Sequence, residues 1–270
     1  MPHATATPID EATIARVADR FLSPRRAPAK PWPAAGAPAT LAVPAPAGWP
    51  DGAEVALVCH RLGEGPPVLL VHGWQSQAAD LLGAARALAA AGLSVWAPDL
   101  PAHGHSGGQR LSIPLAAQAL HAVQRLAGPF AAVVGHSYGA AALVHALAGG
   151  LAAARAALLA PPTHYGIHAR HAAQAAGLDA AATERLLQRL QALTGEAPDA
   201  IDMRRQAAAL RLPALLLHAD DDPVVPAHAT RRVAEAWPGA RWRPLQGLGH
   251  FRLLDDPGVL AEVAQFARGA

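Results

Sequence analysis

The stretch Val133-Val134-Gly135-His136-Ser137-Tyr138-Gly139 joins an apolar run at 130–135 to an alanine-rich helical pattern at 138–148 through a G-x-S-x-G turn. A serine on so sharp a strand-to-helix turn sits in a strained backbone conformation, and only small neighbours let the turn close. Six serines and 24 glycines in 270 residues would produce the motif by chance about 0.05 times. The plain alternative is a glycine-bounded turn whose serine only caps the helix behind it.

Working outward, short apolar runs stand at 54–62, 68–72, 93–97, 130–135, 156–159, 214–218 and 240–245. Helical patterns lie between and after them, at 78–91, 114–127, 138–148, 226–237 and 257–268. This alternation predicts an α/β fold with a mainly parallel central sheet and helices on both faces. The interval 161–212 breaks the rhythm: it has no strand signal but two helical patterns, at 168–176 and 180–193. Its place between two strands predicts a small helical cap or lid. The core is then expected at 54–160 and 213–270. Residues 1–53 precede it as a short amphipathic helix at 10–22 and a proline-rich arm. Eight prolines at 24–50 exclude helix and inner strand there, so the arm is expected to pack on the core, pinned by Trp32 and Trp49.

A serine hydroxyl is a weak nucleophile unless a base takes its proton and a carboxylate orients that base. Both types follow in the chain. After the run at 214–218 comes Asp220-Asp221-Asp222-Pro223-Val224-Val225-Pro226, and after the last run comes Gly247-Leu248-Gly249-His250-Phe251. The alternative acid position, after the run at 156–159, offers only Ala160-Pro161-Pro162.

From about residue 54 onward the chain resembles the α/β-hydrolase-fold serine hydrolases. The resemblance rests on His72-Gly73-Trp74, Asp99 with Gly104 and Ser106, the Ser137 turn, Asp222 with Val225-Pro226, and Gly249-His250, all in family order. It implies Ser137 as nucleophile, His250 as base and Asp222 as the acid, with Asp221 the other candidate in the aspartate run. The backbone N–H groups of Trp74 and Tyr138 are the implied oxyanion donors. His72 is expected to brace the oxyanion loop, and His136 to pack or hydrogen-bond away from the serine. Gln75, His164, Tyr165 and Ile167 are expected in the substrate pocket.

A serine nucleophile excludes the dehalogenase and epoxide-hydrolase branches, which need a carboxylate at position 137. The expected activity is cleavage of small-molecule carboxylic esters with short-to-medium acyl groups, because the oxyanion loop and cap suggest a modest open pocket. Thioester or carbon–carbon bond hydrolysis, or a non-catalytic ligand-binding receptor of the same fold, are the alternatives. No cofactor is needed. No metal is expected either: His103-Gly104-His105 lacks the Asp-His that would complete a metallo-hydrolase set, and His164, His168 and His171 have no carboxylate beside them.

The 270 residues suit one domain of α/β size or two small ones. The chain is 52% hydrophobic and 16% charged, enough to bury a sizeable core. Its 22 basic and 20 acidic residues are interspersed, which argues against nucleic acid as a partner. No apolar run reaches a membrane span. The first twenty residues carry Asp10, Glu11, Arg16, Asp19 and Arg20 without an apolar stretch, so a cytoplasmic location is expected. The single cysteine, Cys59, can form no internal disulfide.

Overall fold

The computed structural model describes residues 9–33 and 37–269. Its strands are β1 (Ala39–Pro44), β2 (Glu54–Leu62), β3 (Pro67–Val71), β4 (Ser94–Pro98), β5 (Ala132–His136), β6 (Ala156–Leu159), β7 (Ala214–Ala219) and β8 (Ala240–Leu245). They form one sheet in the order β1-β2-β4-β3-β5-β6-β7-β8. Only the β1–β2 and β2–β4 pairs are antiparallel; from β4 through β8 every pair is parallel.

The parallel strands β3 to β7 are buried on both faces, while the edge strand β8 is largely exposed, and successive residues divide between two cores. Leu69, Val71, Val133, Leu158 and Leu216 belong to one core; Val68, Leu70, Val134, Leu159 and Leu217 belong to the other. The first core is closed by α3 (Ile113–Ala127) and α4 (Tyr138–Ala148), with α8 (Ala227–Ala236) near the β8 edge. The second is closed by α2 (Leu82–Ala90) and α9 (Pro257–Arg268), which pack on each other. Ser112 and Asp256 cap α3 and α9, accepting from the N–H groups of Leu115 and Val259 at 3.3 and 2.9 Å.

The proline-rich arm contains an element that its composition hides. The six residues Ala39–Pro44 form β1, an edge strand paired along its length with β2. An edge position tolerates Pro44 at the strand end, because a missing donor there costs no ladder bond on the open side. Trp32 and Trp49 tie the arm down: their indole N–H groups donate to the carbonyls of Arg61 (3.1 Å) and Leu193 (2.7 Å).

Between β6 and β7 the chain folds as α5 (Tyr165–Ala175), α6 (Ala180–Thr194) and a further short helix, α7 (Met203–Ala209). Seven residues are too few to declare a helical period, but Asp202 starts α7 by accepting from the N–H groups of Arg204 and Arg205. The amphipathic helix before the arm, α1 (Glu11–Leu22), packs against α5 and α6. Arg185 of α6 fastens it by donating to the Glu11 carboxylate (2.9 Å) and the Ile9 carbonyl.

Candidate active site

β5 delivers the chain to Ser137 at the top of the sheet, where φ is 49° and ψ is −123°, and α4 begins at the next residue. A non-glycine residue held there costs on the order of 1–3 kcal/mol, so the surroundings must fix it. They do. The Ser137 N–H donates to the Leu159 carbonyl on the neighbouring strand at 2.8 Å, and the Ser137 carbonyl accepts from Ala140 at 2.9 Å. The two motif glycines are steric necessities. A Cβ on Gly139 would lie 2.3 Å from the His72 carbonyl oxygen, and one on Gly135 would lie 2.6 Å from a Leu143 methyl and 2.9 Å from the α4 backbone.

Ser137 Oγ stands 3.0 Å from His250 Nε2, and His250 Nδ1 stands 2.7 Å from Asp222 Oδ2. The side chains of His250 and Asp222 are almost wholly buried. Of the three consecutive aspartates, then, it is Asp222 that meets the imidazole. Asp221 instead accepts from the Gly249 N–H at 2.9 Å and lies 3.4 Å from Arg252, bracing the turn that carries His250. Burial pushes the Asp222 carboxyl up, but the Val225 N–H, the His250 ring and the Val224 N–H outweigh it and hold the group below the usual carboxylate range.

Asp222 has a second imidazole partner that the sequence does not announce. His218, fully buried near the end of β7, places Nε2 3.0 Å from Asp222 Oδ2 and 3.0 Å from the Val225 carbonyl, while Nδ1 is 2.8 Å from Thr230 Oγ1. Burial lowers its pKa despite the nearby carboxylate. A neutral ring facing two acceptors at Nε2 must carry its proton there, so His218 donates to Asp222. His136 supports His250 from the other side. Its Nε2–H donates to the His250 carbonyl at 2.9 Å, and burial, then the nearby His250, bring its pKa down to about 4.

The turn after β3 is held by two more neutral histidines. His72 Nε2 accepts from the Leu100 N–H at 2.9 Å, and its Nδ1–H donates to the Gly73 carbonyl at 2.8 Å. His103 Nε2 accepts from the Gln75 N–H at 3.0 Å, and its Nδ1–H donates to the Pro101 carbonyl at 2.9 Å. Both roles require an unprotonated Nε2. Burial supplies it, lowering His72 and bringing His103 to about 3. Between these anchors, and beside Gln75 at φ 57°, the Trp74 N–H has no protein acceptor among the described residues, and neither has the Tyr138 N–H. The Trp74 and Tyr138 rings lie 5.2 Å apart over the same corner.

Above Ser137 opens a cavity of about 810 Å³, larger than the modest pocket expected. Trp74, Tyr138, His164 and Tyr165 line it, but Gln75 and Ile167 do not. Gln75 is turned by its positive φ, with its N–H committed to His103. Ile167 is 47% exposed: on α5 it stands about 200° around the helix from Tyr165, whereas His168, Ala172 and Ala175 follow the lining stripe. The extra room comes with a wall that sequence reasoning did not assign to the site. α1 contributes Thr13, Arg16, Val17, Arg20 and Phe21, and Phe21 meets Tyr165 at 5.2 Å between ring centroids. Its amphipathic pattern signals burial without saying against what. Beside His250, Phe251, 64% exposed, sets its ring edge-on to the imidazole at 4.9 Å.

One group of side chains among the described residues has the composition of a metal site: His60, Asp99 and His105, with ligand atoms within 4.8 Å of one another. These atoms already serve each other. Asp99 Oδ2 is 3.1 Å from His60 Nε2 and 3.2 Å from His105 Nδ1, and the carboxylate also accepts from the N–H groups of Ala78 and His105. The cluster latches the loop at 99–106 against β2, and Ser106 Oγ completes it by donating to the Asp99 carbonyl at 2.6 Å.

Among the described residues no helix is long and apolar enough to cross a membrane. The model of the alpha/beta hydrolase family matches residues 68–263. No curated protein matches the chain in sequence. Solved structures do match it in fold. A thermophilic esterase from Thermogutta terrifontis is 19% identical, with a TM-score of 0.62 over 86% of this chain and 97% of the other. An esterase from Rhodococcus is 22% identical, with a TM-score of 0.63 over 86% and 98%. A bromoperoxidase from Bacillus anthracis is 17% identical, also with a TM-score of 0.63, over 86% and 100%. With the family pattern running through most of its length and this sheet beneath it, the chain belongs to the alpha/beta hydrolase family.

Proposed function

We propose that the protein is a serine hydrolase of carboxylic esters that works through an acyl-enzyme. The observation that carries this reading is the line from Ser137 Oγ to His250 Nε2 (3.0 Å) and from His250 Nδ1 to Asp222 (2.7 Å), opening on an apolar cavity of about 810 Å³. Ser137 attacks the ester carbonyl while His250 takes its proton. The N–H groups of Trp74 and Tyr138 receive the oxyanion, His250 returns the proton to the departing alkoxide, and the acyl group stays on Ser137. A water activated by His250 then releases the acid, and Asp222 holds the imidazole tautomer through both halves.

The volume, at the upper end of the ~300–1,000 Å³ common for ligand sites, favours medium over short acyl groups. Residues 161–212, together with α1, act as the lid. The helices on both sides of the cavity support that assignment.

Hydrolysis of p-nitrophenyl esters from acetate to palmitate, with Ser137→Ala as control, tests the reading. The expected result is turnover that peaks at a medium chain and falls by several orders of magnitude in the variant. Turnover retained by the variant would end the serine mechanism. No turnover at any length by the folded protein would end the ester reading and leave thioesters, carbon–carbon bonds or simple ligand binding.

A further inference from the structure

The cavity carries a charge pattern that ester hydrolysis as such does not use. The face that α1 turns to it, Thr13, Arg16, Val17, Arg20 and Phe21, follows the i, i+3, i+4, i+7, i+8 spacing of one helical stripe. Arg16 and Arg20, both exposed to solvent, stand one turn apart on this stripe. The acidic residues of α1 are engaged elsewhere: Glu11 holds Arg185 at 2.9 Å and Asp19 holds Arg110 at 2.5 Å. Asp10, whose charge Arg16 helps to stabilise, serves as the N-cap and accepts from the Thr13 N–H at 2.8 Å. Among the described residues Arg16 donates only to the Thr13 hydroxyl, at 2.7 Å. Among the described residues no aspartate or glutamate lines the cavity.

Position adds to charge. Phe21 meets Tyr165 on the cavity wall. At roughly 1.5 Å per residue, Arg20 is the chain neighbour of Phe21 and Arg16 stands about 7.5 Å from Phe21 along the helix axis. An apolar body that starts at Ser137 and fills this cavity therefore shares it with two guanidinium groups that no acid among the described residues pairs at salt-bridge distance. A guanidinium fork matches a carboxylate in shape and charge.

We propose that the substrate is a half-ester of a medium-length dicarboxylic acid, with the ester carbonyl at Ser137 and the free carboxylate held by Arg16 and Arg20. The assignment rests on the ester-hydrolase reading and adds the substrate class to it. Hydrolysis adds one water across the ester C–O bond and releases the alcohol, a dicarboxylate and a proton.

Two measurements test it. In turnover, monophenyl suberate is compared with phenyl octanoate, which has the same length and no charge. In binding, the monoamide of suberic acid is compared with octanamide on the Ser137→Ala protein by calorimetry. The anionic member of each pair is expected to lead by about tenfold at low salt, in kcat/KM and in Kd, and the lead should shrink as salt is raised. In Arg16→Gln/Arg20→Gln both ratios should fall toward one, and Arg16→Lys/Arg20→Lys should recover part of them, which disturbed packing of α1 would not do. Equal binding of the two amides, or a lead that survives the glutamine pair, would overturn the proposal. Turnover of both esters at equal rates would sink the carboxylate site alone. Preferential binding of the monoamide without turnover of either ester would sink the ester reading and leave the carboxylate site standing.

Discussion

At the scale of single residues, the site is a set of histidines, each held in one tautomer by its neighbours. His72 and His103 each accept a backbone N–H on Nε2 and so fix the loop that carries the Trp74 amide. His218 reaches the site through Asp222. By donating to Oδ2 it fixes the rotamer of the carboxylate and shares the negative charge that His250 faces. Removing it with His218→Ala takes away one hydrogen bond to a charged group, worth about 1.5–3 kcal/mol. The expected outcome is a drop in kcat of about 10- to 100-fold. His218→Gln, whose side-chain amide can donate in place of the ring Nε2–H, should recover part of the rate. A rate loss matched by a lower folded fraction, with no recovery by glutamine, would reduce His218 to a packing residue. Ser137 and His250 could be found from motif and chain order. His218 could not, because a histidine inside a buried strand reads as core until its register against Asp222 is known.

At the scale of elements, the strands from β2 to β8 and most helices were legible, because each has a clear period and glycine or proline at its ends. Two elements were not. β1 lies between prolines, and its six residues form a strand only because β2 offers an edge. α7 is too short to show a period. α1 was legible as a helix but not as a wall of the cavity: sequence gives the width of an apolar stripe, not the partner it will meet. Its position makes α1 part of the cavity wall. Phe21→Ala should therefore raise KM for an octanoate ester by about tenfold, the scale of a lost aromatic contact plus burial. The acetate ester should be affected less. An equal change for both esters would place Phe21 outside the acyl path.

At the scale of the whole molecule, four buried histidines are kept neutral by the fold. Burial lowers His72 and His218, and brings His103 to about 3 and His136 to about 4. An unfolded histidine titrates near ~6.5. Between that value and the folded values the unfolded chain binds more protons, so stability is fully present above pH ~6.5 and is lost as pH falls. The urea midpoint should be flat just above neutrality and decline from about pH 6.5 towards 4, before the depressed carboxylates of Asp99 and Asp222 come into play. A midpoint unchanged from pH 7 to 5 would contradict the neutral tautomers on which the loop geometry depends.

The proposed chemistry requires Ser137 to be an activated nucleophile, and labelling with a fluorophosphonate reagent tests it. Treated with the reagent and examined by intact mass and peptide mapping, the protein should take up one adduct per chain, on Ser137, and Ser137→Ala and His250→Ala should take up none. A folded protein that stays unlabelled, or is labelled at another residue, would contradict the central claim.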